Sequence, residues 1–152
     1  MSTPEEKLQE LGLTVPGVVP PLAAYVPAVR SGSYVYTSGQ LPMRDGQLVA
    51  TGKVGAEVDE SLAYDAAQQC ALNALAAVKS VVGELSEVKR VVKAVVFVAS
   101  TPDFTGQPKV ANGASELFGK VFGDAGVHAR SAVGVAALPL DATVEVELIV
   151  EV

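Results

Sequence analysis

An α+β domain is what this sequence predicts, one sheet with two long helices packed on one face. Three stretches carry that expectation. Val144, Val146, Leu148, Val150 and Val152 alternate with Glu145, Glu147, Ile149 and Glu151, the period-2 pattern of a strand with one buried face. Residues 59–82 repeat small apolar side chains at helical spacing between an aspartate and a glycine. Residues 88–99 (VKRVVKAVVFVA) are rich in β-branched side chains and apolar on both faces from Ala94 on, which marks a central strand.

The elements follow in order. Thr3-Pro4-Glu5-Glu6 opens a short helix: a hydroxyl cap, a proline at the first position, then acids at the positive end of the dipole. Gly12 ends it, and the proline-rich stretch Val15–Pro21 is an extended connector. Tyr25–Arg30 and Tyr34–Ser38 read as a hairpin about Ser31-Gly32-Ser33, and a second turn at Arg44–Gln47 extends residues 24–54 into an antiparallel meander. Asp59 caps the longest helix and Gly83 stops it, with Leu62, Ala66, Cys70, Ala74, Ala77 and Val81 as its core stripe. Cys70 belongs to that stripe as filler. Pro108 opens the next helix, whose core face is Val110, Ala114, Leu117, Phe118, Val121 and Phe122. Ser131–Ala137 and Thr143–Val152 read as a terminal hairpin about Leu138-Pro139-Leu140-Asp141. That pairing would aim Arg130 and Glu145 into one cleft. The sheet's second face is apolar along several strands, which predicts burial against another copy of the chain.

Composition narrows the function. The 152 residues suffice for one core, and 49% hydrophobic with 18% charged residues describes a globular chain. A net charge of −6 argues against non-specific nucleic-acid binding, which needs a positive field. One cysteine and one histidine exclude a Cys/His zinc site, and no acidic cluster has ligand spacing, so neither metal nor cofactor is expected. Cys70 as the lone cysteine, the polar acidic N-terminus and the lack of a membrane-length apolar run point to the cytoplasm.

Four segments in order resemble the reactive-intermediate deaminases, the RidA/YjgF family. They are Tyr34-Val35-Tyr36-Thr37-Ser38-Gly39-Gln40-Leu41-Pro42, Asn112–Phe118, Ala129-Arg130-Ser131-Ala132-Val133, and Leu138-Pro139 followed by Val144-Glu145-Val146-Glu147. The likeness covers roughly residues 20–152, so residues 1–20 are set apart as helix and connector and 21–152 as the domain. It implies a chorismate-mutase-like α+β fold with a mixed sheet, homotrimers with clefts between subunits, and hydrolysis of enamine/imine intermediates to 2-keto acids and ammonia. It further implies that Arg130 binds the substrate carboxylate and Glu145 activates water, with Tyr25, Ser38, Gly39 and Asn112 shaping the site. Ala132 departs from the family's frequent cysteine, Gly134 from an acid and Ala137 from a base.

These residue types suit the chemistry. A guanidinium holds a planar carboxylate with two parallel hydrogen bonds where lysine offers a point charge. A half-buried glutamate can orient water against an imine carbon and return a proton to departing ammonia. By residue type alone, Arg130 is an edge residue, Glu145 one of three outward glutamates, and His128 a loop residue. A non-catalytic member of the fold that binds a small carboxylate would keep Arg130 without needing Glu145. Ribonuclease or translation-inhibitor activity fits poorly with the acidic charge, and chorismate-mutase activity would rest on fold analogy alone.

Overall fold

The computed structural model describes residues 2–21 and 23–152. Helix α1 (Pro4–Glu10) begins with a reciprocal capping box: Thr3 Oγ1 accepts from the Glu6 amide at 3.1 Å, and the Glu6 carboxylate accepts from the Thr3 amide at 2.8 Å. Helix α2 (Glu60–Val82) starts where Asp59 Oδ1 accepts from the Leu62 amide at 2.8 Å, and it stops at Gly83, whose φ of 92° suits glycine. Helix α3 (Gln107–Phe122) carries Pro108 in its first turn. All three begin where local chemistry predicts.

Alanine-rich faces bring α2 and α3 into close contact. A Cβ on Gly113 would fall 2.1 Å from the Tyr64 carbonyl oxygen, so only glycine permits this approach. Leu8 of α1 is fully buried, and α1 packs against α3. Ala66, Cys70, Ala74 and Ala77 are buried as expected, but Leu62 and Val81 are 39% and 38% exposed. Both sit in end turns, where a 23-residue helix of about 35 Å outruns the strands beneath it. Cys70 donates to the Val144 carbonyl at 3.5 Å, and burial pushes its thiol well above the ordinary value, as suits inert core packing.

Among the described residues one sheet runs in the order β1 (Ala28–Ser31), β2 (Tyr34–Thr37), β7 (Val144–Glu151), β5 (Arg90–Ala99) and β6 (Ala129–Val135). Every pairing is antiparallel except β5 with β6. The expected terminal hairpin is therefore not formed, because β5 lies between β6 and β7. A strand apolar on both faces and central needs a ladder on each edge, and these two strands supply them. The segment 136–143 instead crosses the end of β5, where Ala99 donates to the Thr143 carbonyl at 2.8 Å. Leu140 and Asp141 take left-handed φ values of 58° and 59° in that crossing.

The expected meander also divides. Gln40 bridges to Val146 and ends the run beside β7, after which Pro42 offers no amide to a ladder. β3 (Met43–Arg44) and β4 (Gln47–Leu48) then pair only with each other, anchored to α2 by Asn73 Nδ2, which donates to the Leu41 and Met43 carbonyls at 2.9 Å each. Tyr25 precedes β1 instead of starting it.

Val35, Ala94, Val96, Val98, Val144, Val146, Leu148 and Val150 face the helices and form the core with them. On the other face Val29, Tyr34, Tyr36 and Val133 remain exposed. Among the described residues no helix is long and apolar enough to cross a membrane.

Candidate active site

The register of β5 divides the predicted site residues between the two faces of the sheet. Ala94 pairs with Arg130 on one side and Leu148 on the other, so Arg130 shares the helix-facing side with two buried residues. Phe97 pairs with Val133 and Glu145, which places Glu145 on the opposite face. Within one chain the two charged groups are not brought together.

Arg130 reaches α3. Its Nη1 donates to Asn112 Oδ1 at 2.8 Å and to Ser115 Oγ at 3.1 Å. Asn112 and Ser115 are three apart on a helix and so present their polar ends side by side. Ser115 Oγ lies 2.9 Å from His128 Nε2, and His128 Nδ1 lies 2.6 Å from the Gly126 carbonyl oxygen. A carbonyl only accepts, so Nδ1 carries the hydrogen, and in the neutral ring Nε2 accepts from Ser115. Phe118 meets the His128 ring edge-on at 5.5 Å. Among the described residues nothing accepts from Arg130 Nε or Nη2, which leaves one edge of the fork for a ligand.

The sequence gives Ser115 no role of its own and marks His128 as a loop residue, which it is, without joining either to Arg130. Their signals were present: Ser115 stands one turn after Asn112, and His128 stands two residues before Arg130, which puts both on one face of extended chain.

The second group gathers around Glu145. Gln40 exchanges backbone hydrogen bonds with Val146 at 2.8 and 3.0 Å, which draws Gly39 across Glu145. A Cβ on Gly39 would fall 2.0 Å from Glu145 Oε1. Ser38 donates through Oγ to the Val26 carbonyl at 2.6 Å and through its amide to Pro27 at 2.8 Å, tying β2 to the segment that carries Tyr25. Tyr25 and Gly39 line a cleft with Val19, Pro20, Leu41 and Leu140. Burial raises the Glu145 carboxyl above its ordinary pKa, with the Glu147 charge adding to it. No cation or hydrogen-bond donor satisfies Glu145 among the described residues, and no group of three or more His, Cys, Asp or Glu there could hold a metal.

Ala132 lies on the Arg130 side of β6, packed against the core. Gly134 leaves room for Gln107: a Cβ would lie 2.7 Å from its Nε2, which donates to the Phe104 carbonyl at 2.8 Å.

The family model described as "YjgF/chorismate_mutase-like, putative endoribonuclease" matches residues 5–152. The chain belongs to the YjgF family. "Protein TCP17" of Trypanosoma cruzi is 48% identical over 145 residues, covering 95% of this chain and 91% of that one. A 2-iminobutanoate/2-iminopropanoate deaminase of Dermatophagoides farinae is 35% identical over 140 residues, covering 91% and 93%. Among solved structures, the Agrobacterium tumefaciens protein Atu1372, of unknown function, is 49% identical with a TM-score of 0.93, covering 98% and 92%. E. coli TdcF with bound serine is 28% identical with a TM-score of 0.63, covering 91% and 93%. The fold is thus the chorismate-mutase-like one of this family, as the four sequence segments predicted.

Proposed function

We propose that the protein hydrolyses 2-imino acids, formed from reactive enamines, to 2-keto acids and ammonia. The site joins the Arg130 group of one subunit to the Glu145 group of a neighbour in a homotrimer. Glu145 carries this reading: a half-buried carboxylate, raised in pKa and lacking a partner in its own chain, held against a glycine beside a cleft. Such a group spends solvation free energy without local compensation, which is characteristic of a functional site. The exposed apolar side chains on the same sheet face give a second copy something to cover. The mite relative's name supports the reaction class, and the serine bound to TdcF supports recognition of a small amino-acid-like carboxylate.

In this scheme the free edge of Arg130 takes the substrate carboxylate in two parallel hydrogen bonds. The substrate reacts as its protonated imine: Glu145 accepts a proton from a water as the water oxygen bonds to the iminium carbon, and the C=N π electrons move to nitrogen to give a neutral carbinolamine. The carbinolamine then loses its amine: the carboxyl proton goes to nitrogen, the C–N bond breaks, and the hydroxyl oxygen forms the keto C=O as its proton passes to solvent water. Water is consumed and ammonia released, with no redox change. The second half needs a protonated carboxyl, and burial raises the Glu145 pKa in that direction while the neighbour's Arg130 opposes it.

The deciding assay is ammonia and keto-acid release from freshly generated 2-aminoacrylate, alongside light scattering. Turnover by wild-type trimer and none by Glu145→Gln is expected. Carboxylate binding without turnover in wild type would make this a binding member of the fold. Wild-type turnover in Glu145→Gln would remove the glutamate from the mechanism, and a monomer would remove the shared site.

A further inference from the structure

We propose that His128 and Ser115 are positioning residues that fix the plane of the Arg130 guanidinium; this rests on reading Arg130 as the carboxylate anchor. Gly126 anchors His128 Nδ1 at 2.6 Å, and Phe118 stacks edge-on against the ring, so Nε2 is held facing Ser115. Ser115 has one hydroxyl hydrogen and gives it to Nε2 at 2.9 Å. Its lone pairs are then left for Arg130 Nη1 at 3.1 Å.

Without the imidazole, that hydrogen has another destination. A serine within a helix readily donates to the carbonyl three or four residues earlier, which turns its lone pairs elsewhere. His128 therefore keeps Ser115 an acceptor. Asn112 Oδ1 at 2.8 Å is the second acceptor, so both hydrogens of Nη1 are engaged. Two tethers on one nitrogen fix the plane of a rigid fork and present Nε and Nη2 as a prepared pair. Preorganisation of this kind strengthens binding by reducing the ordering needed when ligand arrives. The loop before β6 contributes to the site through His128 although it touches no reacting atom.

The test uses the full-length protein and the unreactive carboxylate 2-oxobutanoate, titrated by calorimetry, with kcat, KM and thermal midpoint measured for each variant. His128→Phe keeps an aromatic ring against Phe118 but removes both ring nitrogens. It and Ser115→Ala should each weaken 2-oxobutanoate binding about five- to tenfold, the scale of one neutral hydrogen bond. KM should rise by the same factor with kcat changed less than about twofold. The double variant should be no worse than either single one, because the two act as one unit. His128→Gln, which keeps an acceptor near the Nε2 position, should recover most of the lost affinity with an unchanged thermal midpoint.

Wild-type affinity in both His128→Phe and Ser115→Ala, with binding lost in Arg130→Ala, would overturn the relay and leave the anchor standing. Additive losses in the double variant, or no recovery in His128→Gln, would also overturn the relay. Wild-type affinity in Arg130→Ala, or no binding by wild-type protein, would overturn the anchor reading itself. If His128→Phe does not fold, Ser115→Ala decides by the same comparison, since it removes only a hydroxyl.

Discussion

The two charged groups assigned to the site sit in opposite circumstances. Arg130 is held by Asn112 and Ser115, and through Ser115 by His128, so one chain defines where its guanidinium lies. Glu145 has no such partner and is defined by what presses on it, the bare Cα of Gly39. Hydrogen bonds fix an orientation, whereas close packing only limits a position. The arginine corner is thus finished within the chain, while the glutamate face is left open toward whatever covers that side of the sheet.

The largest expected effect comes from the finished corner. Arg130→Ala should lower kcat/KM more than a hundredfold, and Arg130→Lys by about 10- to 100-fold, because a charge-assisted hydrogen bond is worth about 1.5–3 kcal/mol. The thermal midpoint should move little in either case, since Asn112 and Ser115 are half-buried and can turn to water. A collapsed midpoint would make Arg130 a structural member of the corner and erase the contrast with Glu145.

Next is Gly39→Ala. Its new methyl would stand 2.0 Å from Oε1, the free end of a flexible side chain, so Glu145 should swing away at small cost in stability. Turnover should fall about a hundredfold, the low end of what a displaced general base costs. Activity equal to wild type would show that the position of Glu145 does not matter.

The pH dependence sharpens the comparison further. Burial and Glu147 raise the folded pKa of Glu145 above its unfolded value. The folded state therefore binds more protons between those two values, and stability falls as pH rises through that window. That loss should be absent in Glu145→Gln, so the variant should gain stability relative to wild type on going from about pH 4, near the unfolded glutamate pKa, to neutral pH. Denaturant titrations at both ends measure it, and equal slopes against pH in the two proteins would contradict the burial argument.

The smallest effect belongs to a helix cap outside both groups. Asp59→Ala removes the cap of α2 and should cost about 1 kcal/mol of stability with kcat/KM unchanged.

Legibility in the sequence follows the range of the interactions. Thr3, Asp59 and Gly83 mark helix ends correctly because a cap involves groups three or four residues apart. The identity of β5 as a central strand was equally plain, since its apolar faces are its own property. Family membership was legible from four short segments that keep their order. Among the candidate residues, Arg130 and Asn112 were named separately, and they meet in space only because α3 folds back over β6.

What tertiary structure alone decided is which edge each strand takes. The pattern of β6 and β7 suits a hairpin as well as it suits two neighbours of β5, because alternation specifies a face and says nothing about a partner. The choice was made by β5, whose two edges both demand hydrogen bonds, and it put Arg130 and Glu145 on opposite faces. The role of His128 was hidden for the same reason. Its neighbours Ser115 and Phe118 lie 13 and 10 residues back along the chain, as the numbering shows, and meet it only after the helix has packed. A sequence determines the chemistry each segment offers, and non-local packing determines which offers meet.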